Sequence, residues 1–289
     1  MRQLLLIGLF FFNISALSAQ EKVQIKVTSA SPDAAFEQLI GSSSLKMSYS
    51  RPLARGRKIF GELVPFDKIW RTGASDCSIF TTSEDISFGN KTLLAGSYSL
   101  FTIPAKNEWT IIVNTDTKLH GESGYDVNKD VFRFTVPVEK SANYYETFTI
   151  ELNDINSKGE GFLKIIWENT LIKIPIKSKE DEAILALIDK NIIKEKSIDA
   201  NLLFQAANYY YSTNRDLKQA MKWLLEAEKI ESDNFNFPNF RQKIAAQIKD
   251  YFTAIDAAKK AIKISEIKKM KSQETLKKLI IEWELLAKS

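Results

Sequence analysis

Ala95-Gly-Ser-Tyr-Ser-Leu-Phe-Thr-Ile-Pro104 and, after the polar link Ala105-Lys-Asn107, Glu108-Trp-Thr-Ile-Ile-Val-Asn114 decide the fold of the first half of this chain. Both runs are rich in aromatic and β-branched residues, and the link is too short for anything but a turn, so the pair reads as a β-hairpin. Outward from it, apolar residues recur at every second position: Val23/Ile25/Val27, Leu45/Met47/Tyr49, Phe132/Phe134/Val136, Phe148/Ile150/Leu152, Leu163/Ile165/Trp167 and Leu171/Ile172/Ile174. Period two with one polar face marks half-buried strands, and Gly89-Asn90, Gly96-Ser97, Pro104, Lys106-Asn107 and Lys158-Gly159 supply turns between them. Roughly ten strands follow from this pattern. No helical stretch long enough for a parallel crossover separates them, so the expectation is an all-β antiparallel domain, a two-layer sandwich or jelly-roll-like barrel.

After Pro175 the apolar period changes from two to 3.6. Ser178-Lys-Glu-Asp181 and Asp199 are candidate helix N-caps with helically spaced apolar residues behind them. Asp216, Leu217, Ala220, Leu224 and Ala227 then recur 34 residues later as Asp250, Tyr251, Ala254, Ala258 and Ala261, which is the tetratricopeptide (TPR) period. Small residues at such positions let helices approach closely. The second copy is weaker in its first helix, where Gln242 and Ala245 stand at the matching sites. The expected second domain is therefore all-α and TPR-like, with helices at about 180–196 and 272–287 capping the array. The organisation reads as 1–19 signal peptide, 20–176 β domain and 177–289 helical domain.

The signal peptide rests on cationic Met1-Arg2, apolar Leu4 to Phe12 and the small-residue exit Ser15-Ala-Leu-Ser-Ala19. It implies an exported protein, periplasmic or secreted, and no later run has the roughly 20 apolar residues that a membrane helix needs. A single cysteine, Cys77, allows no internal disulfide and puts no thiol at the cleavage point for a lipid anchor. At 44% hydrophobic, the 289 residues suffice for two cores. The net charge of +4 is small and mixed with acids, which argues against nucleic-acid binding.

Candidate chemistry is sparse. His120 is the only histidine, so no multi-histidine metal site can form; as a base it would need Glu122 or Asp126 to orient it, with Ser123 as nucleophile. Gly121-Glu-Ser-Gly124 lacks the nucleophile elbow and reads as a loop. Cys77 opens an apolar burst and reads as a small buried residue. Gly56-Arg-Lys-Ile-Phe-Gly61 has phosphate-loop spacing, but Glu62-Leu63 stands where lysine and a hydroxyl residue are required. Glu108, Glu146, Glu151, Glu160 and Glu168 lie on or beside strands and could supply a glycosidase pair only if geometry joined two of them. No catalytic residue, metal or cofactor is assigned.

One constellation stands out in Tyr49-Ser-Arg-Pro-Leu-Ala-Arg-Gly-Arg-Lys-Ile-Phe-Gly-Glu-Leu-Val-Pro-Phe-Asp-Lys-Ile-Trp-Arg-Thr-Gly73. It reads as a long ordered loop whose apolar side chains need burial and whose cations need partners. Arg51, Arg55, Arg57, Lys58 and Arg71, interleaved with Phe60, Phe66 and Trp70, suit an anionic or saccharide ligand. The competing reading, which the sequence favours, pairs some of these arginines with Glu62, Asp67 and Asp76 to lock the loop over the β domain. This stretch and the Ala95–Asn114 hairpin together resemble the signature of the bacterial DUF2911 family, with similarity from about Ser31 to Ile176. That resemblance implies a domain and supplies no mechanism. The expectation is an exported, non-enzymatic binding module of the cell envelope with a protein partner on its helices, the alternative being an exported hydrolase acting on envelope or polysaccharide material.

Overall fold

The computed structural model describes residues 29–271 and 273–288; the expected signal peptide and the strand expected around Val23/Ile25/Val27 lie outside them. The first part is one open antiparallel sheet of nine strands, in the order β1-β2-β3-β6-β7-β8-β9-β4-β5. These are β1 (Asp33–Ile40), β2 (Ser43–Ser50), β3 (Ser78–Thr82), β4 (Ile86–Phe88), β5 (Lys91–Leu93), β6 (Gly96–Ile103), β7 (Glu108–Asn114), β8 (Asp130–Asn153) and β9 (Glu160–Ser178). The β6–β7 hairpin forms as read from the sequence, pairing Ser99 with Asn114 through Ile103 with Thr110.

The layer arrangement comes from β8. Its first part pairs with β7 and its second with β9. Register shifts between Lys140 and Tyr145 and between Tyr145 and Thr149 bend it on the way, as bulges do. Phe132/Phe134/Val136 and Phe148/Ile150/Leu152 thus belong to one strand, and Leu163 through Ile174 to another. The bend brings distant strands face to face. The Tyr49 hydroxyl on β2 donates to the Ile150 carbonyl and accepts from the Ile150 N–H, both at 2.9 Å, and its ring meets Phe148 edge-on. Phe80 of β3 likewise meets Phe88 of β4.

Between the facing halves lies the main core, which includes Leu45, Met47, Leu100, Trp109, Ile111, Phe148, Ile165 and Trp167. The opposite faces of β6 and β7 are also covered, because Phe101 and Ile112 form a second cluster with Cys77. Burial on both sides explains why Leu-Phe-Thr-Ile and Trp-Thr-Ile-Ile-Val read as continuous apolar runs.

β9 continues almost directly into the helical part: α1 (Glu180–Ile188), a π-helical turn (Asp189–Lys194), α2 (Ala200–Ser212), α3 (Leu217–Ile230), α4 (Asn236–Gln247), α5 (Tyr251–Ile267) and α6 (Gln273–Leu286). From α2 onward each helix packs on its neighbour in sequence. Asp199, Asp216 and Asp250 cap α2, α3 and α5 through side-chain bonds to backbone N–H groups. The expected cap at Ser178–Asp181 is different in kind. Ser178 Oγ accepts from the Glu180 N–H, whereas Asp181 is buried and takes the Tyr209 hydroxyl and the Arg215 guanidinium. A second buried group joins three helices, with Arg241 of α4 and Lys260 of α5 both on Glu228 of α3.

Candidate functional site

The loop between β2 and β3 is pinned along its whole length. Ile59, Phe60, Val64 and Trp70 sit in the main core, so the apolar side chains of the loop are buried as its composition requires. Trp70 exchanges backbone hydrogen bonds with Thr102 of β6 at 2.8 and 2.9 Å, and its Nε1 donates to the Gly73 carbonyl. Its ring lies among Phe60, Trp109, Phe148 and Trp167. Gly61 is required here: at φ 92° its absent Cβ would lie 2.7 Å from the Phe66 ring.

The cations of the loop divide into two kinds. Arg51 donates from Nε to the Phe148 carbonyl and from Nη2 to Thr149 Oγ1, which ties the loop to β8. Arg71 donates from Nε to Glu122 Oε1 at 3.0 Å and from Nη1 to the Ser75 carbonyl at 3.0 Å, and its backbone N–H also reaches Glu122 Oε1. Gly121 permits that approach, since a Cβ there would sit 3.1 Å from Arg71 Nη1. Lys58 pairs with Glu62 at the surface. Arg57 bonds only to carbonyls, those of Ala54 and Leu53. Arg55 and Lys68 are exposed, and among the described residues neither side chain has a hydrogen bond or ion pair. The expectation that Glu62, Asp67 and Asp76 neutralise the arginines is corrected: Glu62 takes Lys58, Asp76 takes His120, and the carboxylate that locks Arg71 is Glu122, far away in sequence.

A groove of about 530 Å³ runs along the loop, lined by Arg55, Arg57, Leu63, Val64, Pro65, Lys68, Ile69, Trp70, Arg71, Glu122 and Trp167 among others. Of the constellation expected from the sequence, Arg55, Arg57, Trp70 and Arg71 line it; Arg51, Lys58, Phe60 and Phe66 do not. Trp70 contributes little surface, being 6% exposed, so its ring is a buttress. Lys68 and Trp167 were not singled out by sequence reasoning, and Glu122 was considered only as a partner of His120, which pairs with Asp76 instead. Lys68 stood within the quoted loop, and Trp167 was read only as part of a strand.

Four non-glycine residues of this loop region, Arg55, Asp67, Thr72 and Ser75, have left-handed backbones with φ between 54° and 58°, a conformation that costs an ordinary residue about 1–2 kcal/mol. Hydrogen bonds hold them there. Glu146 accepts the Ala54 N–H on its carbonyl and the Arg55 N–H on its carboxylate at 2.6 Å; Asp67 N–H donates to the Pro104 carbonyl; Thr72 bonds Thr102.

The remaining sequence candidates lie in separate settings among the described residues. His120 Nδ1 lies 2.5 Å from Asp76 Oδ1, with both side chains about 80% exposed; Asp126 instead caps the turn Val127–Lys129. Cys77, just before β3, is buried in the second cluster with Phe101 and Ile112, and burial pushes its thiol upward, away from the thiolate. Glu146 is held by the loop, Glu151 and Glu160 lie along β8 and β9, and Glu108 sits at the β6–β7 turn. Behind Glu122, Tyr125 donates to Asp130, which also receives Asn114 and Arg133. Burial and the Asp130 carboxylate together push the Tyr125 phenol up to about 12. This network fixes the segment that presents Glu122 to Arg71.

These features define a class: an antiparallel β-sheet domain closed by a long anchored loop with a cationic groove at its rim, followed by stacked helices. The family described as "Protein of unknown function (DUF2911)" matches residues 31–176, half of the chain, and the chain belongs to that family. Comparison with curated proteins and with solved structures found no match.

Proposed function

We propose that the protein is an exported, non-enzymatic binding module of the cell envelope, with a ligand groove on its β domain and a TPR-like helical platform for a protein partner. The observation that carries this reading is the groove's acid content. Among the described residues that line it, the one carboxylate, Glu122, is committed to Arg71, whereas glycoside hydrolysis needs two acids flanking a bond. Cys77 is buried among apolar side chains, whereas the His120 side chain is exposed and paired with Asp76. A TPR-like assignment is supported by the 34-residue recurrence, because Ala220, Leu224 and Ala227 in α3 and Ala254, Ala258 and Ala261 in α5 are all fully buried. The closing-over of the sheet by β8 fits a sandwich or jelly-roll-like classification. Export rests on the character of residues 1–19.

The test incubates the purified mature chain with cell-wall sacculi and a panel of polysaccharides. The reading expects no release of reducing ends above buffer, together with retention of an envelope component on the immobilised full chain. Reducing-end release that scales with protein concentration would establish the hydrolase instead.

A further inference from the structure

We infer that the groove along the β2–β3 loop binds a small organic anion, a carboxylate or a phosphate or sulfate monoester. Its charge would be held by Arg55 and Lys68 with Arg57 beside them, and its apolar body would lie on Leu63, Val64, Pro65 and Ile69. This rests on the binding-module reading and names the ligand class for that site.

The charge inventory carries the argument. Among the side chains lining the groove, Arg71 and Glu122 cancel each other. Arg57 spends its hydrogen bonds on neutral carbonyls, so its positive charge has no carboxylate against it. Arg55 and Lys68 have no side-chain partner among the described residues. Three uncompensated cations therefore share one concave surface, a distribution that raises the local concentration of anions. Self-neutralisation of the loop, the competing explanation for its basic composition, accounts for Lys58 and Arg71; Arg51 is tied to Phe148 and Thr149 and does not line the groove, which leaves these three.

Backbone conformation supplies a second, independent observation. Arg55 sits at φ 54° and is followed by Gly56 at φ 69°, so the chain makes a left-handed turn that glycine would occupy without penalty. The Glu146 bonds that hold this turn go to backbone N–H groups, and they would serve glycine equally well. No contact within the described residues uses the guanidinium. Strain of this sort collects where a side chain must be presented at a site.

Shape fixes the ligand's size and second half. About 530 Å³ lies within the roughly 300–1,000 Å³ of small-molecule sites. The wall between the cations is apolar, with Leu63 44% exposed. A planar guanidinium and a mobile ammonium can both donate hydrogen bonds to carboxylate, sulfate or phosphate oxygens.

The experiment titrates full-length mature protein with 4-nitrobenzoate, 4-nitrophenyl sulfate and 4-nitrophenyl phosphate, with neutral 4-nitrobenzamide as control, following the tryptophan indole N–H signals by NMR. Of the five tryptophans, Trp70 and Trp167 line the groove, and Trp223 and Trp283 belong to the helices. The anions should move Trp70 and Trp167 and leave Trp223 and Trp283 in place, and their relative affinities identify the preferred headgroup. Arg55→Gly should weaken binding roughly tenfold, the loss of one charge-assisted bond, with an unchanged or raised melting temperature. Lys68→Met should weaken it similarly. Absence of an anion-dependent shift, equal binding of the amide, or unchanged affinity in the Arg55→Gly/Lys68→Met double variant would overturn the assignment. Release of 4-nitrophenolate would contradict the non-enzymatic reading while leaving the anion site standing.

Discussion

Replacing Arg71 with alanine separates the anchoring cations from the free ones. The substitution removes the Nε bond to Glu122 and the Nη1 bond to the Ser75 carbonyl, both 3.0 Å, and opens the space over Gly121. Each bond involves a charged group, worth about 1.5–3 kcal/mol when well shielded. The Arg71 and Glu122 side chains are 29% and 31% exposed, and Glu122 keeps the Arg71 backbone N–H, so solvent recovers part of that; about 1–2 kcal/mol is the expected net loss. For a domain of this size each kcal/mol lowers the melting temperature by about 2–4 °C, which gives a fall of roughly 2–8 °C. Near-ultraviolet circular dichroism is the appropriate assay, because Trp70 of the loop packs against both Trp109 and Trp167. Arg71→Lys should recover only part of the loss, since an ammonium lacks the fork that reaches both acceptors. A melting temperature for Arg71→Ala within 1 °C of the parent would refute the anchoring role.

Other substitutions test the frame around the site. Tyr49→Phe removes the two hydrogen bonds to Ile150 that join the facing halves of the sheet, and should cost about 1–3 kcal/mol in urea unfolding; an unchanged midpoint would contradict the closure. Arg241→Met leaves the buried Glu228 with Lys260 alone and should cost about 3–5 kcal/mol, much of it recovered by adding Glu228→Leu. Asp181 sets an acid limit. Burial pushes its carboxyl up, but the bonds from Tyr209 and Arg215 outweigh burial and hold it below its ordinary value. A depressed folded value contributes stability above the unfolded carboxyl value, about 3.9, and loses it as pH falls further. Urea midpoints should therefore drop between pH 5 and pH 3 less steeply in Asp181→Asn than in the parent; parallel slopes would exclude this contribution.

Local pattern carried the strands wherever one face is buried and one is wet: Leu45, Met47 and Tyr49 alternate inward with polar neighbours outward. It could not show that β8 is a single element. The bends between Lys140 and Thr149 are register shifts rather than glycine or proline turns, so one long strand reads as two short ones. The same limit governs the site. Loop composition pointed to Arg55, Arg57, Trp70 and Arg71, but the acids that sort them come from far along the chain. Glu122 is 51 residues from Arg71, and Glu146 is 91 from Arg55. Acids near in sequence were the natural partners to expect, yet Asp67 and Asp76 meet none of the arginines, because left-handed turns at Asp67 and Ser75 send the chain elsewhere. Helix positions were easier to read, since the cap Asp199 acts within three residues of itself, and Asp216 and Asp250, noticed only for their 34-residue recurrence, cap α3 and α5 in the same way.

Whether the loop's cations truly fall into two kinds can be read by residue-specific chemical labelling of the folded chain, with phenylglyoxal for arginine and an acetylating ester for lysine, quantified by peptide mass spectrometry. Arg55 and Lys68 should label rapidly, while Arg51 and Arg71, fixed by the bonds to β8 and Glu122, should lag by an order of magnitude or more. Comparable rates at Arg55 and Arg71 would mean that the loop is not anchored as described and that the groove has no distinct set of free charges.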